Sequence, residues 1–107
     1  GPIPCSRMLT KEEVSTDYER NLGLVIKETF TDIDPLDIPG ILCRNHGPFT
    51  WGKNVSEAVQ NAVILEECAK MATHTENIMK DPSFVPEFLI NKHFKRKHGK
   101  RAYYGQD

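Results

Sequence analysis

No two cysteines of this chain stand at C-x-x-C spacing, and Cys5, Cys43 and Cys68 are odd in number. A zinc ribbon or a disulfide framework would cluster its cysteines, so neither is read here. Three reduced thiols of a cytoplasmic protein are the simpler reading. No apolar run approaches the length needed to span a bilayer, and no charged-then-apolar leader stands at the start, so no membrane partner is expected. A phosphate-binding P-loop, a dinucleotide fingerprint, a G-x-S-x-G elbow and an H-E-x-x-H zinc helix are all missing. Internal repeats and low-complexity stretches are missing too.

What is present fits one domain. The 107 residues form a single segment, 1–107, able to bury about 65% of its unfolded surface. A net charge of −1 with 38% apolar residues is ordinary composition for a globular protein. The charge is uneven: residues 1–91 hold 8 Lys/Arg against 14 Asp/Glu, while residues 92–107 hold 6 against Asp107 alone. A basic end suggests either a nucleic-acid arm or a solvated helix face. The acidic remainder favours the second, and no nucleic-acid partner is expected.

Ile3-Pro4-Cys5-Ser6 reads as an extended lead-in, because Pro4 biases its neighbour away from helix. Thr10-Lys11-Glu12-Glu13 is a capping box. The helix it opens carries Val14, Tyr18, Leu22, Val25 and Thr29 at near-helical spacing and should end near Asp32, before Asp34-Pro35 and Pro39-Gly40. Gly23 costs that helix about 1 kcal/mol, and Leu22–Ile26 alone passes for a strand. Ile41-Leu42-Cys43 is a short buried strand. Asn54 opens a second helix to about Lys80, with Ala58, Ala62, Leu65, Ala69 and Ala72 along one stripe. Pro86 starts a third helix through about His98. One strand cannot satisfy its own backbone. Apart from the weak Ile3–Cys5 segment, the missing strands are left to sequence outside these residues.

Four histidines are available: His46, His74, His93 and His98. His93 and His98 are five apart on a helix and cannot share a metal from one face. His74 has no histidine or acid four residues away. Only His46 has a setting shaped for ligation, in Asn45-His46-Gly47-Pro48-Phe49-Thr50-Trp51-Gly52. Gly47 permits positive φ, Pro48 stiffens the exit, and Phe49 with Trp51 can exclude water. A turn histidine bonded to backbone is the equal alternative. At the other end, Tyr103 and Tyr104 lie beside several cations, which stabilise a phenolate and suit general acid/base work. The same composition serves a single-stranded nucleic-acid surface, or simply a helix end capped at Gly99 with docked tyrosines.

Three segments taken together carry a resemblance: I-P-C-S-R-M-L-T at 3–10, N-H-G-P-F-T-W-G-K-N at 45–54, and K-H-x-x-R-K-H-G-x-x-A-Y-Y-G-Q at 92–106. Their order and spacing resemble the C-terminal half of the L-ribulose-5-phosphate 4-epimerase family, within the class II aldolase and adducin-like superfamily. The resemblance implies an α/β fold: part of an α/β/α layered domain with a mostly antiparallel sheet, this segment being mainly helical. It implies a zinc-dependent, homotetrameric, cytoplasmic isomerase with active sites between adjacent subunits. The expected substrates are pentulose phosphates of arabinose catabolism, L-ribulose 5-phosphate and D-xylulose 5-phosphate. The C3–C4 bond would break in a retro-aldol step and re-form on the other face.

By position, the resemblance makes His46 the third histidine ligand of the zinc, Tyr104 the acid/base residue and His93 an assisting histidine across the subunit boundary. On chemistry alone Tyr103 serves as well as Tyr104. The family's other two zinc histidines, its phosphate-binding loops and the acid opposite the tyrosine lie in an N-terminal half that nothing here resembles. The remaining ligands are therefore expected outside this chain, which by itself should bind zinc weakly and show no epimerase activity. An aldolase of the same superfamily and a non-catalytic adducin-like interaction module are the alternatives.

Overall fold

Thr10 ends the lead-in and starts the first helix, as its position in the capping box predicts. Its hydroxyl accepts the Glu13 amide at 3.2 Å, while the Glu13 carboxylate accepts the Thr10 amide at 2.7 Å. The computed structural model describes residues 2–103. In it the helix expected to run to Asp32 is two helices, α1 (Lys11–Ser15) and α2 (Tyr18–Thr29). Side chains cause the break. In a continuous helix the Glu13 carbonyl would accept the amide of Asp17. Here it accepts the Asn21 side-chain amide at 2.9 Å, and Asn21 also donates to the Thr16 hydroxyl at 3.1 Å. Short polar side chains that bond nearby backbone compete with the helix in this way.

The two helices lead to a hairpin of β1 (Gly40–Cys43) and β2 (Gly47–Thr50), antiparallel with Ile41 opposite Phe49 and Cys43 opposite Gly47. The chain thus supplies the second strand that its sequence pattern conceals. Pro48 conceals it, standing opposite Leu42 where its lack of an N–H suits a sheet edge. The lead-in adds a parallel bridge from Cys5 to Leu42, with the Leu42 amide on the Pro4 carbonyl and the Ser6 amide on the Leu42 carbonyl, both at 2.9 Å. Strand alternation sends Ile41 and Cys43 inward and leaves Leu42 outward. Ile41 and Cys43 meet Leu22 of α2 in the core, flanked by Leu9, Ile26, Phe30 and Trp51. Full burial of an aliphatic side chain such as Ile41 contributes about 1.5–3 kcal/mol.

Asn54 caps α3 (Val55–Ile78): its side-chain oxygen accepts the Glu57 amide at 2.9 Å. The inward face of α3 is narrower than the predicted stripe. Leu65 is buried and Ala58 half-buried, whereas Ala62, Ala69 and Ala72 are exposed. Ala62, Leu65 and Ala69 line a groove with Leu42, Pro48 and Thr50 of the hairpin. The Thr50 hydroxyl donates to the Ala58 carbonyl at 3.0 Å, tying β2 to α3. The chain divides into two compact units, Gly1–Thr73 and His74–Asp107. The second holds the end of α3 and α4 (Glu87–His98), which begins after Pro86 as predicted. Among the described residues, four helices with one small antiparallel sheet make a mainly helical α/β segment.

Candidate functional site

The turn between β1 and β2 carries His46. Its amide donates to the Cys43 carbonyl at 3.0 Å, closing a four-residue turn. Among the non-glycine residues described, Asn45 alone has positive φ, at 62°. A positive φ at the third turn position is what a type II turn requires, and asparagine tolerates it. Gly47 follows with φ 138°, a conformation that side-chain-bearing residues rarely adopt. The freedom inferred for Gly47 is therefore used.

The turn is held from below. Ser6, only 3% exposed, accepts the Arg44 amide on its hydroxyl at 3.1 Å and donates to the Arg7 carbonyl at 3.0 Å. Cys43 is buried beside it, and burial pushes its thiol pKa above the ordinary value while the Ser6 contact opposes the shift. A thiol held protonated is a poor metal ligand, because the thiolate is the ligating form. Nothing in local sequence marked Ser6; its role depends on the lead-in pairing with β1.

The His46 ring itself is exposed. Phe49 of β2 stacks on it with centroids 5.1 Å apart and planes 15° apart. Tyr18, first residue of α2, approaches at 6.5 Å and 40°. No ring nitrogen of His46 is hydrogen-bonded to another described residue; the backbone contact of this turn is made by the amide instead. Trp51 departs from expectation. It does not wall the His46 turn but donates its indole N–H to the Pro35 carbonyl at 2.6 Å and meets Phe30 edge-on at 5.2 Å. A half-buried indole N–H favours an acceptor, and the Pro35 turn offers one.

A second polar cluster braces the lead-in. Arg7 forks onto Glu13 at 2.9 Å and Glu28 at 3.0 Å, joining the lead-in to α1 and α2. The Arg7 bonds, with the Thr10 amide, hold the Glu13 carboxyl down to about 2. Bidentate charge-assisted bonds of this kind favour the ionised carboxylate.

In the second unit, His93 is exposed on α4 and His98 stacks on Phe94 at 4.8 Å. The Arg96 guanidinium sits over the Tyr103 ring, 5.2 Å from its centroid, a cation–π contact with the ring face. Tyr104 lies outside the described residues. His46 belongs to the first unit and His93 to the second.

A comparison with protein-family models matches residues 2–73 to the class II aldolase and adducin N-terminal domain. The chain belongs to this family. The class II aldolase match ends where the first unit ends, and takes in Ser6, Tyr18, His46 and Phe49. His93 and Tyr104 fall beyond it. Class II aldolase membership accords with the mainly helical α/β architecture and with an enzyme of the lyase or isomerase kind. No helix among the described residues is long and apolar enough to cross a membrane.

The donor set can be tested against the zinc such enzymes typically use. Among the described residues no three His, Cys, Asp or Glu side chains come together as a metal-binding group. Among the described residues the arrangement fits one ligand position, the exposed His46 imidazole, and not a complete zinc site.

Proposed function

We propose that this chain is the C-terminal half of a zinc-dependent sugar-phosphate 4-epimerase that interconverts L-ribulose 5-phosphate and D-xylulose 5-phosphate. The observation that carries the reading is His46: an exposed imidazole, free of hydrogen bonds to the described residues, on a tight turn inside the class II aldolase match. Its sequence context resembles the epimerase rather than the family at large, because the A-Y-Y-G-Q stretch at 102–106 accompanies it.

In this reading His46 is one zinc ligand, Tyr104 the acid/base group and His93 its assistant from an adjacent subunit of a homotetramer. Zinc would supply stabilisation of developing oxyanion charge without consuming a proton. The chain's own contribution is narrower. The hairpin holds one imidazole at a fixed point, and the family resemblance puts the other ligands in an N-terminal half. No reaction step is assigned to the described residues alone.

The test is turnover of L-ribulose 5-phosphate, with zinc added, by the 107-residue chain and by a fusion joining it to the N-terminal half of a family relative. The chain alone should be inactive, and the fusion should form D-xylulose 5-phosphate. Free glycolaldehyde phosphate as the product would instead make the protein an aldolase. A well-folded fusion without turnover would favour a non-catalytic adducin-like module.

A further inference from the structure

His46 stands on a tip where little else restrains it. A side chain on an exposed turn ordinarily samples several rotamers, and each rotamer points its ring nitrogens differently. A ligand position needs one direction held in advance, since ordering the ring at the moment of binding costs affinity. The aromatic rings beside His46 that could supply this restraint are Phe49 and Tyr18.

The geometry points to Phe49 and Tyr18 as positioning residues that clamp the His46 imidazole. Phe49 lies nearly parallel to the ring, 15° from coplanar at 5.1 Å. Stacking of this kind covers a face of the imidazole. The nitrogen lone pairs lie in the ring plane, so a covered face leaves them open. Tyr18 comes from a different element at 40° and 6.5 Å, restricting rotation of the ring from another direction. The three side chains sit on rigid supports: the hairpin turn, β2 and the first residue of α2. Phe49 is itself fixed by its register opposite Ile41, the most deeply buried residue of the sheet. Offset stacking of an aromatic pair is attractive enough to favour one ring orientation several-fold.

The break between α1 and α2 gains a purpose from this. With Asn21 diverting the Glu13 carbonyl, the second helix starts afresh at Tyr18. Tyr18, at that start, has its ring 6.5 Å from the His46 ring. The clamp rests on the reading of His46 as a metal ligand for its purpose, but not for its existence.

The test is proton and relaxation NMR of the His46 ring in the metal-free 107-residue chain, followed by titration with zinc chloride alone. Phe49→Leu should move the His46 ring protons away from their shielded position and raise ring mobility, and Phe49→Tyr should restore both. Tyr18→Leu, which leaves the sheet untouched, should raise mobility with a smaller change of shift. Unchanged His46 shifts and relaxation in Phe49→Leu and Tyr18→Leu would overturn the clamp, as would a failure of Phe49→Tyr to rescue. Zinc chloride should perturb His46 in the wild type and perturb it less in Phe49→Leu. If the clamp signals behave as expected but a fusion to the N-terminal half of a relative keeps its zinc with His46→Asn, the clamp stands and the metal reading falls.

Discussion

Gly47→Ala and Gly23→Ala are the same chemical change with opposite expected signs. At neither position would the added methyl meet another atom within 4 Å, so packing cannot decide the outcome. Backbone conformation does. Gly47 has φ 138°, where alanine is strained by about 1–3 kcal/mol. Gly23 lies inside α2 with ordinary φ, where alanine is favoured by about 1 kcal/mol. The two variants should therefore differ by about 2–4 kcal/mol, with Gly23→Ala above wild type and Gly47→Ala below it. Urea unfolding followed by fluorescence reads this directly, because Trp51 is the sole tryptophan and packs against the core at Phe30. A Gly47→Ala protein as stable as wild type would refute the positive-φ turn on which the presentation of His46 depends. A destabilised Gly23→Ala would refute the open, solvent-facing helix position.

Two further expectations concern titration and thiol chemistry. The Glu13 carboxyl is depressed from about 4.5 to about 2 by Arg7 and the Thr10 amide, so its stabilising contact is complete above the unfolded value and is lost as pH falls through about 2. Arg7→Ala should flatten the fall in stability across that window in acid unfolding curves; because the fork is exposed, added salt should do the same in part. An equally steep acid transition in the variant would contradict the assignment. Iodoacetamide should label exposed Cys5 in the native protein and reach buried Cys43 only on unfolding, as peptide mass spectrometry can show. Native labelling of Cys43 at the rate of Cys5 would place that residue outside the core.

Much of this fold is local and was therefore legible in the sequence. The capping box at Thr10, the start of α3 after Asn54, the start of α4 after Pro86 and the positive φ of Gly47 each follow from a few adjacent residues. What escaped depended on partners distant along the chain. The division of α1 from α2 rests on Asn21 reaching back to the Glu13 carbonyl. β2 was hidden because Gly47 and Pro48 make up half of it and argue against a strand, until Leu42 is placed opposite Pro48. Trp51 was drawn from the His46 turn by an acceptor at Pro35. The candidate site divides in the same way. His46 and its turn announce themselves, while Tyr18 and Ser6 become neighbours of that turn only after α2 and the lead-in pack.

The central claim is that His46 is one ligand of a zinc site whose other ligands this chain does not supply. Zinc content tests it most directly, measured by elemental analysis after gel filtration on the 107-residue chain, on its fusion to the N-terminal half of a relative, and on that fusion carrying His46→Asn. The chain should hold little zinc, the fusion near-stoichiometric zinc, and the fusion with His46→Asn should lose it. Near-stoichiometric zinc on the chain alone, or a fusion that keeps its zinc without His46, would contradict the claim.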